Sequence, residues 1–123
     1  MFHVSLEEFE SIVDEAVSII SKSKPGITKN VAFLVEEVPS EEQRKKLSLL
    51  PNQTLYGLYE GLPLPRRQGQ SKILPDKITI FKIPIENSVN SLEGLVEQIR
   101  HTIWHEVAHY YGLNHEEIYK KES

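Results

Sequence analysis

Two histidines and a glutamate in the last quarter of the sequence have the spacing of a metal site with its own base. His105, Glu106 and His109 form the pattern HExxH. Because an α-helix advances about 100° per residue, side chains four positions apart project from one face, one turn apart. Two imidazoles placed in this way can bind one Zn²⁺, each at roughly 2.0–2.1 Å. Glu106 can point into a cleft and accept a proton from a zinc-bound water.

Gly112 and His115 extend the pattern to HExxHxxGxxH. On a continuous helix, His115 would lie about 9 Å along the axis from His109, which is too far to share one ion. Glycine readily adopts a positive φ and often ends a helix, so Gly112 is expected to turn the chain back and bring His115 to the third ligand position. In shuffled sequences of this composition, the full pattern would occur roughly once in twenty thousand. The predicted metal ligands are therefore His105, His109 and His115.

His101 lies four residues before His105 and therefore on nearly the same helix face. Its distance from His109 along the helix axis is about 12 Å, so one ion cannot bind all three of these histidines. The turn expected at Gly112 favours the set that contains His115. We therefore expect His101 to be a surface residue or to support a ligand by a hydrogen bond.

The composition of the chain excludes several other classes of protein. It has 123 residues, 39% of them hydrophobic and 26% charged, which is typical of a single folded domain spanning residues 1–123. The net charge of −4 argues against a nucleic-acid-binding protein with a broad basic face and against attachment to an anionic membrane. Because the sequence has no cysteine, thiolate metal sites and cysteine nucleophiles are excluded. It also lacks a membrane-spanning apolar stretch and a signal peptide, so a cytoplasmic protein, monomeric by default, is expected.

Three helices are predicted from apolar periodicity, capping residues and helix-breaking residues. Ser5 begins the first, in which apolar residues recur at three- and four-residue spacing until Pro25-Gly26 ends it. The other two run from Ser40 to about Leu50 and, after a cap near Ser91, from Leu92 to about Tyr111. The last helix therefore carries the HExxH residues.

Three strands are predicted from runs of β-branched, aromatic and alternating residues. They are residues 31–35, residues 54–61, in which Gly57 is a weak point, and residues 77–83. The segment Leu62–Pro75 contains three prolines and is expected to be a long loop. The order helix, strand, helix, strand, strand, helix predicts an α+β domain with a small sheet backed by helices.

The histidine motif resembles the zinc-binding consensus of the metzincins, but their methionine-containing turn is absent because Met1 is the only methionine. The chain more closely resembles the minimal zincin family of short bacterial zincin-like metallopeptidases. The resemblance covers the N-terminal helix, residues 55–61, the strand 78–85 and the HExxH helix. It implies an α+β fold in which a small mixed β-sheet lies over the active-site helix. It also implies His105 and His109 as zinc ligands, Glu106 as the base, and His or Asp at the third ligand position.

These observations together predict a zinc-dependent metallopeptidase, a hydrolase that acts on a peptide or protein substrate. Zinc would lower the pKa of its bound water to about 7, and Glu106 would pass the proton of that water to the leaving amine. A tyrosine could stabilise the oxyanion, although buried packing is the alternative role of each candidate. The candidates are Tyr110 and Tyr111 beside the turn and Tyr56 and Tyr59 on a strand. The substrate could add as a further strand beside a sheet edge.

Two other functions are compatible with the sequence. Single-zinc endoribonucleases of the bacterial rRNA-maturation type also carry three histidines at this spacing. They have glycine in the position of Glu106 and need a basic channel for the phosphate backbone, so Glu106 and the net acidity favour the peptidase. The second alternative is a non-catalytic metal-binding module, in which the segment Leu62–Pro75 would fold over the zinc and exclude a polypeptide.

Overall fold

The structure, a computed structural model, describes residues 1–61 and 76–112 of the chain. It therefore includes all of the HExxH residues. His115 and the predicted loop Leu62–Pro75 lie outside the described residues. Across the described ranges, no helix is both long enough and apolar enough to cross a lipid bilayer.

Three strands form a mixed sheet within the described ranges. They are β1 (Val31–Glu36), β2 (Gly57–Glu60) and β3 (Asp76–Phe81). The central strand, β3, pairs with β1 in parallel on one side and with β2 in antiparallel orientation on the other. Because β3 has a strand on either side, all of its residues except Lys77 are buried. The small mixed sheet predicted from the family resemblance is confirmed.

The described part of the chain also contains five helices, so the fold is α+β as predicted. They are α1 (Leu6–Ser23), α2 (Ile27–Asn30), α3 (Glu41–Lys46), α4 (Lys82–Ser88) and α5 (Leu92–Tyr110). The three predicted hydroxyl caps are present. Ser5, Ser40 and Ser91 each accept a hydrogen bond from the backbone N–H three residues later, at 3.0–3.1 Å.

The prediction of a strand over residues 77–83 is wrong at its end. β3 stops at Phe81, and the residues that follow form α4. The alternation of polar and apolar residues continues to Ile83, but Pro84 has no N–H to donate to a neighbouring strand. Its fixed φ suits the first turn of a helix, and its side chain is buried there. The sequence also predicts a turn at residues 87–91, but its first two residues belong to α4, which continues to Ser88.

The predicted second helix and second strand are both shorter in the structure. α3 ends at Lys46, since Ser48 has a φ of 54°, in the left-handed region that interrupts a helix. The Arg44 guanidinium donates a hydrogen bond to the carbonyl of Leu50 at 2.6 Å and so holds the residues after α3 close to it. β2 begins only at Gly57, and the residues immediately before it line a cavity that is described below.

The core lies where α1, α5 and the sheet meet, because α5 packs against α1 and against both β2 and β3. Its buried side chains include Phe9 and Val13 from α1, Ile78 and Ile80 from β3, and Ile99, Ile103 and Val107 from α5. Burying one such side chain completely stabilises a fold by roughly 1.5–3 kcal/mol. The helix that carries the HExxH residues is therefore held by apolar packing against a helix and a sheet.

A buried carboxylate ties the N-terminal segment to α4. Glu86 is 1% exposed and accepts a hydrogen bond from the backbone N–H of Val4 at 2.8 Å. The His3 ring and Lys82 Nζ each lie 3.1 Å from the same carboxylate. Burial raises the pKa of Glu86, but these contacts outweigh it and hold the pKa below its ordinary value. The start of α1 is thereby positioned against the rest of the fold.

Candidate active site

The HExxH residues lie near the C-terminal end of α5, on the predicted helix. The helix ends at Tyr110, and Gly112 follows with a φ of 77°. The N–H of Gly112 donates to the carbonyl of His109 at 2.9 Å. The positive φ expected at this glycine is confirmed, and it ends the helix directly after the motif.

His105 and His109 project from one face of α5. Their ring centroids are 4.8 Å apart, and the ring planes make an angle of 42°. Two imidazoles that bind one tetrahedral ion, each at about 2.1 Å, would have ring centroids about 5 Å apart. Both side chains are partly buried. The pair therefore fits two of the ligand positions of a zinc site.

The third ligand position is not filled from the described residues. Within residues 1–61 and 76–112, no group of three or more His, Asp or Glu side chains is arranged to hold a metal ion. His115 follows Gly112 by three positions and lies beyond the described range. Its role as the third ligand stays a prediction.

Glu106 is the buried carboxylate of the site. It is 8% exposed, and its Oε1 accepts a hydrogen bond from the backbone N–H of Tyr59 at 3.0 Å. Desolvation by burial raises the pKa of Glu106 to about 7, and the Tyr59 N–H opposes this rise by stabilising the ionised form. A carboxyl group with this pKa is suited to accept and return a proton near neutral pH.

A cavity of about 350 Å³ adjoins Glu106 and extends toward the N-terminal part of α5. One wall comes from α5 and the other from the segment that leads into β2. The lining residues are Gln98, His101, Thr102, His105 and Glu106 on α5, and Thr54, Leu55, Tyr56 and Gly57 on the facing segment. Since a water molecule occupies about 30 Å³, the cavity has room for solvent beside Glu106 and for part of a substrate.

His101 is exposed and lines this cavity. Its ring centroid lies 6.3 Å from that of His105, whereas His109 lies 4.8 Å from His105 on the other side. The closer ring pair is therefore the one that the HExxH spacing selects. A supporting role for His101 stays a prediction.

The tyrosines considered as oxyanion donors have other contacts. The Tyr59 hydroxyl donates to Asp76 Oδ2 at 2.7 Å, and its ring meets the edge of the buried Tyr110 ring at 5.9 Å. Tyr111 is partly buried, with Lys24 Nζ 5.3 Å from its ring centroid. Among the described residues that line the cavity, Tyr56 is the only tyrosine. These positions show packing and hydrogen-bonding roles for three of the four candidates.

Sequence reasoning missed the role of Gly57, which lies where β2 crosses α5. A Cβ atom at this position would lie 2.6 Å from Thr102 Cγ2 and 3.3 Å from Glu106 Cγ. Real Cβ atoms essentially never lie within 3.0 Å of another atom, so the contact with Thr102 favours glycine where the strand lies this near the helix. The available signal is the alternation Gly57, Tyr59, Gly61, which places two glycines on one face of the strand.

We expect Gly57→Ala to destabilise the protein by about 1–3 kcal/mol, because the added methyl group overpacks the contact with Thr102. Urea denaturation of the two proteins measures this difference. Gly94→Ala is the matched control, since a Cβ atom there meets nothing nearer than 3.3 Å and alanine favours a helix by up to about 1 kcal/mol. Equal effects of the two substitutions would contradict the close packing of β2 on α5.

The raised pKa of Glu106 predicts how the stability of the metal-free protein depends on pH. A carboxyl group with a pKa of 4.5 in the unfolded chain and about 7 in the folded protein binds its proton more tightly when folded. Protonated Glu106 therefore contributes to the free energy of unfolding at low pH. This contribution, about 3 kcal/mol in total, is lost as the pH rises from 4.5 to about 7. The measurement is the free energy of unfolding, with a chelator present, of wild type and Glu106→Gln. The difference between the two proteins should change by that amount across the window, and a constant difference would refute the assignment.

Comparison with known proteins agrees with the geometry. A family model described as zincin-like metallopeptidase matches residues 28–122. This match covers most of the chain, including β1, β2, β3 and the whole of α5. A search of curated proteins finds no similar sequence. The chain therefore belongs to the zincin-like metallopeptidase family.

Proposed function

We propose that this protein is a zinc-dependent peptidase in which Glu106 is the general base. The observation that carries the proposal is the environment of Glu106, a desolvated carboxyl group with a pKa of about 7 beside a cavity. It directly follows His105, the first histidine of a pair that fits a zinc site. Membership of the metallopeptidase family supports hydrolysis as the class of reaction.

His105 and His109 would hold the zinc ion, with His115 proposed as the third ligand. Zinc, when bound, lowers the pKa of a water molecule and polarises the substrate carbonyl. Neutral imidazoles do not cancel the positive charge of the ion, so this set of ligands preserves that polarising ability.

Glu106 would move the proton during the reaction. Its carboxylate accepts a proton from the attacking water, and the resulting carboxylic acid donates that proton to the nitrogen of the leaving amine. Burial favours the protonated form of Glu106, whereas the Tyr59 N–H favours the ionised form. Because the two effects oppose each other, both forms are accessible near neutral pH, as a group that accepts and then returns a proton requires.

The proposed substrate is a peptide or an extended segment of a protein. The cavity beside Glu106 lies between α5 and residues 54–57, and the latter lead into β2, the outer strand of the sheet. Extended peptides bind beside such strands in many complexes. A peptide bound in this way in the cavity would have a backbone carbonyl next to Glu106.

The test is hydrolysis of a mixed peptide library by zinc-loaded protein, with cleavage products identified by mass spectrometry. We expect cleavage that a chelator abolishes and that added zinc restores. A structured RNA incubated in parallel tests the endoribonuclease alternative. RNA cleavage without peptide cleavage would overturn the proposal, and zinc binding without cleavage of either substrate would favour a non-catalytic binding module.

A further inference from the structure

We propose that Asp76 and Tyr59 are positioning residues that orient the carboxylate of Glu106. This inference rests on the proposed function of Glu106 as the base. The three residues come from β3, β2 and α5, and they form a chain of contacts in which Tyr59 bonds to both carboxylates. Neither Asp76 nor the backbone of Tyr59 is part of the HExxH pattern.

The first contact in the chain is the backbone N–H of Tyr59. It lies 3.0 Å from Glu106 Oε1, and the two residues are 47 positions apart in the sequence. Within the described residues, this is the only hydrogen bond that Glu106 accepts. The direction in which the carboxylate points therefore depends on where β2 holds this N–H.

The second contact places Tyr59 itself. Its hydroxyl donates to Asp76 Oδ2 at 2.7 Å, and Asp76 is 5% exposed. Tyr59 pairs with Ile78 across the β2–β3 ladder, and Asp76 precedes Ile78 by two residues, so both side chains lie on the same face of the sheet. The Tyr59 ring also meets the Tyr110 ring of α5 edge to face, at 5.9 Å. Tyr59 is thus held at its hydroxyl by the sheet and at its ring by α5.

The glycines on either side of Tyr59 make room for the two carboxylates. A Cβ atom at Gly57 would crowd Glu106 Cγ at 3.3 Å, and a Cβ atom at Gly61 would overlap the side chain of Asp76. The segment Gly57–Gly61 therefore brings its central tyrosine between two buried carboxyl groups. Asp76 is 5% exposed, and burying a carboxylate costs desolvation free energy that an apolar pair would not incur. A role in positioning Glu106 accounts for a polar contact here.

The test compares three variants that differ in the Tyr59–Asp76 contact. Tyr59→Phe removes the hydroxyl but retains the backbone N–H and the ring, and Asp76→Leu removes the acceptor. Asp76→Asn retains a side-chain oxygen that can accept the same hydrogen bond. We expect Tyr59→Phe and Asp76→Leu to lower kcat by roughly 10- to 100-fold with KM and zinc content unchanged. Asp76→Asn should restore most of the activity lost in Asp76→Leu.

A control separates positioning from general destabilisation. Val13→Ala removes buried volume on α1, away from the site, and should lower the unfolding temperature while leaving kcat within twofold of wild type. If Tyr59→Phe and Asp76→Leu also keep wild-type kcat when fully folded, the positioning role is wrong. The same conclusion follows if Asp76→Asn is as impaired as Asp76→Leu.

A spectroscopic measurement decides the inference even if the protein hydrolyses no peptide. The amide proton of Tyr59 should resonate downfield because it is bonded to a carboxylate, and Glu106→Gln should shift it upfield. We expect Asp76→Leu and Tyr59→Phe also to shift the amide proton of residue 59 upfield. Asp76→Asn should change this chemical shift little. Absence of hydrolysis by wild type would overturn the proposed function alone. An unchanged amide shift in both Tyr59→Phe and Asp76→Leu would overturn the positioning role alone.

Discussion

Replacing Glu106 with glutamine should abolish peptide hydrolysis while leaving zinc binding intact. Glutamine has nearly the same shape and can still accept the hydrogen bond from the Tyr59 N–H, but its amide cannot take up a proton from water. General base catalysis contributes roughly 10²- to 10⁴-fold to a rate, so kcat/KM on the best library peptide should fall by that factor. Zinc content, measured on the same samples, should equal that of wild type.

Glu97→Gln provides the matched control for this substitution. Glu97 is an exposed glutamate on the same helix, and it does not line the cavity beside Glu106. Its substitution makes the same change of a carboxyl group to an amide on the same helix, so it reports any effect of removing a negative charge away from the cavity. Activity of Glu106→Gln close to that of Glu97→Gln would show that Glu106 is not the base.

Replacing His105 with alanine should remove the bound metal. Loss of a residue that only supports a ligand lowers metal affinity by roughly 10- to 100-fold. Loss of one of three direct ligands should lower it by more. The measurement is metal analysis of protein that was prepared without a chelator. His109→Ala should behave in the same way, since its ring centroid lies 4.8 Å from that of His105.

His101→Ala is the control for the metal measurement. His101 lies on the same helix face, one turn before His105, but it is exposed and outside the predicted set of ligands. The His101→Ala protein should retain zinc at the wild-type level. Equal zinc in wild type and His105→Ala would refute the site, and loss of zinc in His101→Ala would assign the ion to His101 and His105 instead.

Helix α5 is predictable from the sequence because its determinants are local. The Ser91 hydroxyl caps its first turn, and Gly112, with a φ of 77°, ends it. The spacing of His105 and His109 then places both rings on one face through helix geometry alone. The two rings accordingly lie on one face of α5 in the structure, with centroids 4.8 Å apart.

The boundary between β3 and α4 is not predictable from the same kind of local pattern. The alternation in residues 77–83 favours a strand throughout, yet the chain becomes helical at Lys82. The helix buries Pro84 and Ile85 in the core and places Glu86 where the N-terminal segment can bind it. These are contacts between distant parts of the chain, so they do not contribute to a local pattern.

The sequence by itself determines which residue types are available for zinc chemistry and that a helix presents two of them together. Only the tertiary structure decides whether Glu106 can act as a base. Its raised pKa comes from desolvation, and its hydrogen-bond donor is Tyr59, 47 positions earlier in the chain. The desolvation and the hydrogen bond both require β2 to lie against α5 at Gly57. Burial of a side chain depends on the residues that pack around it, and these come from distant parts of the chain.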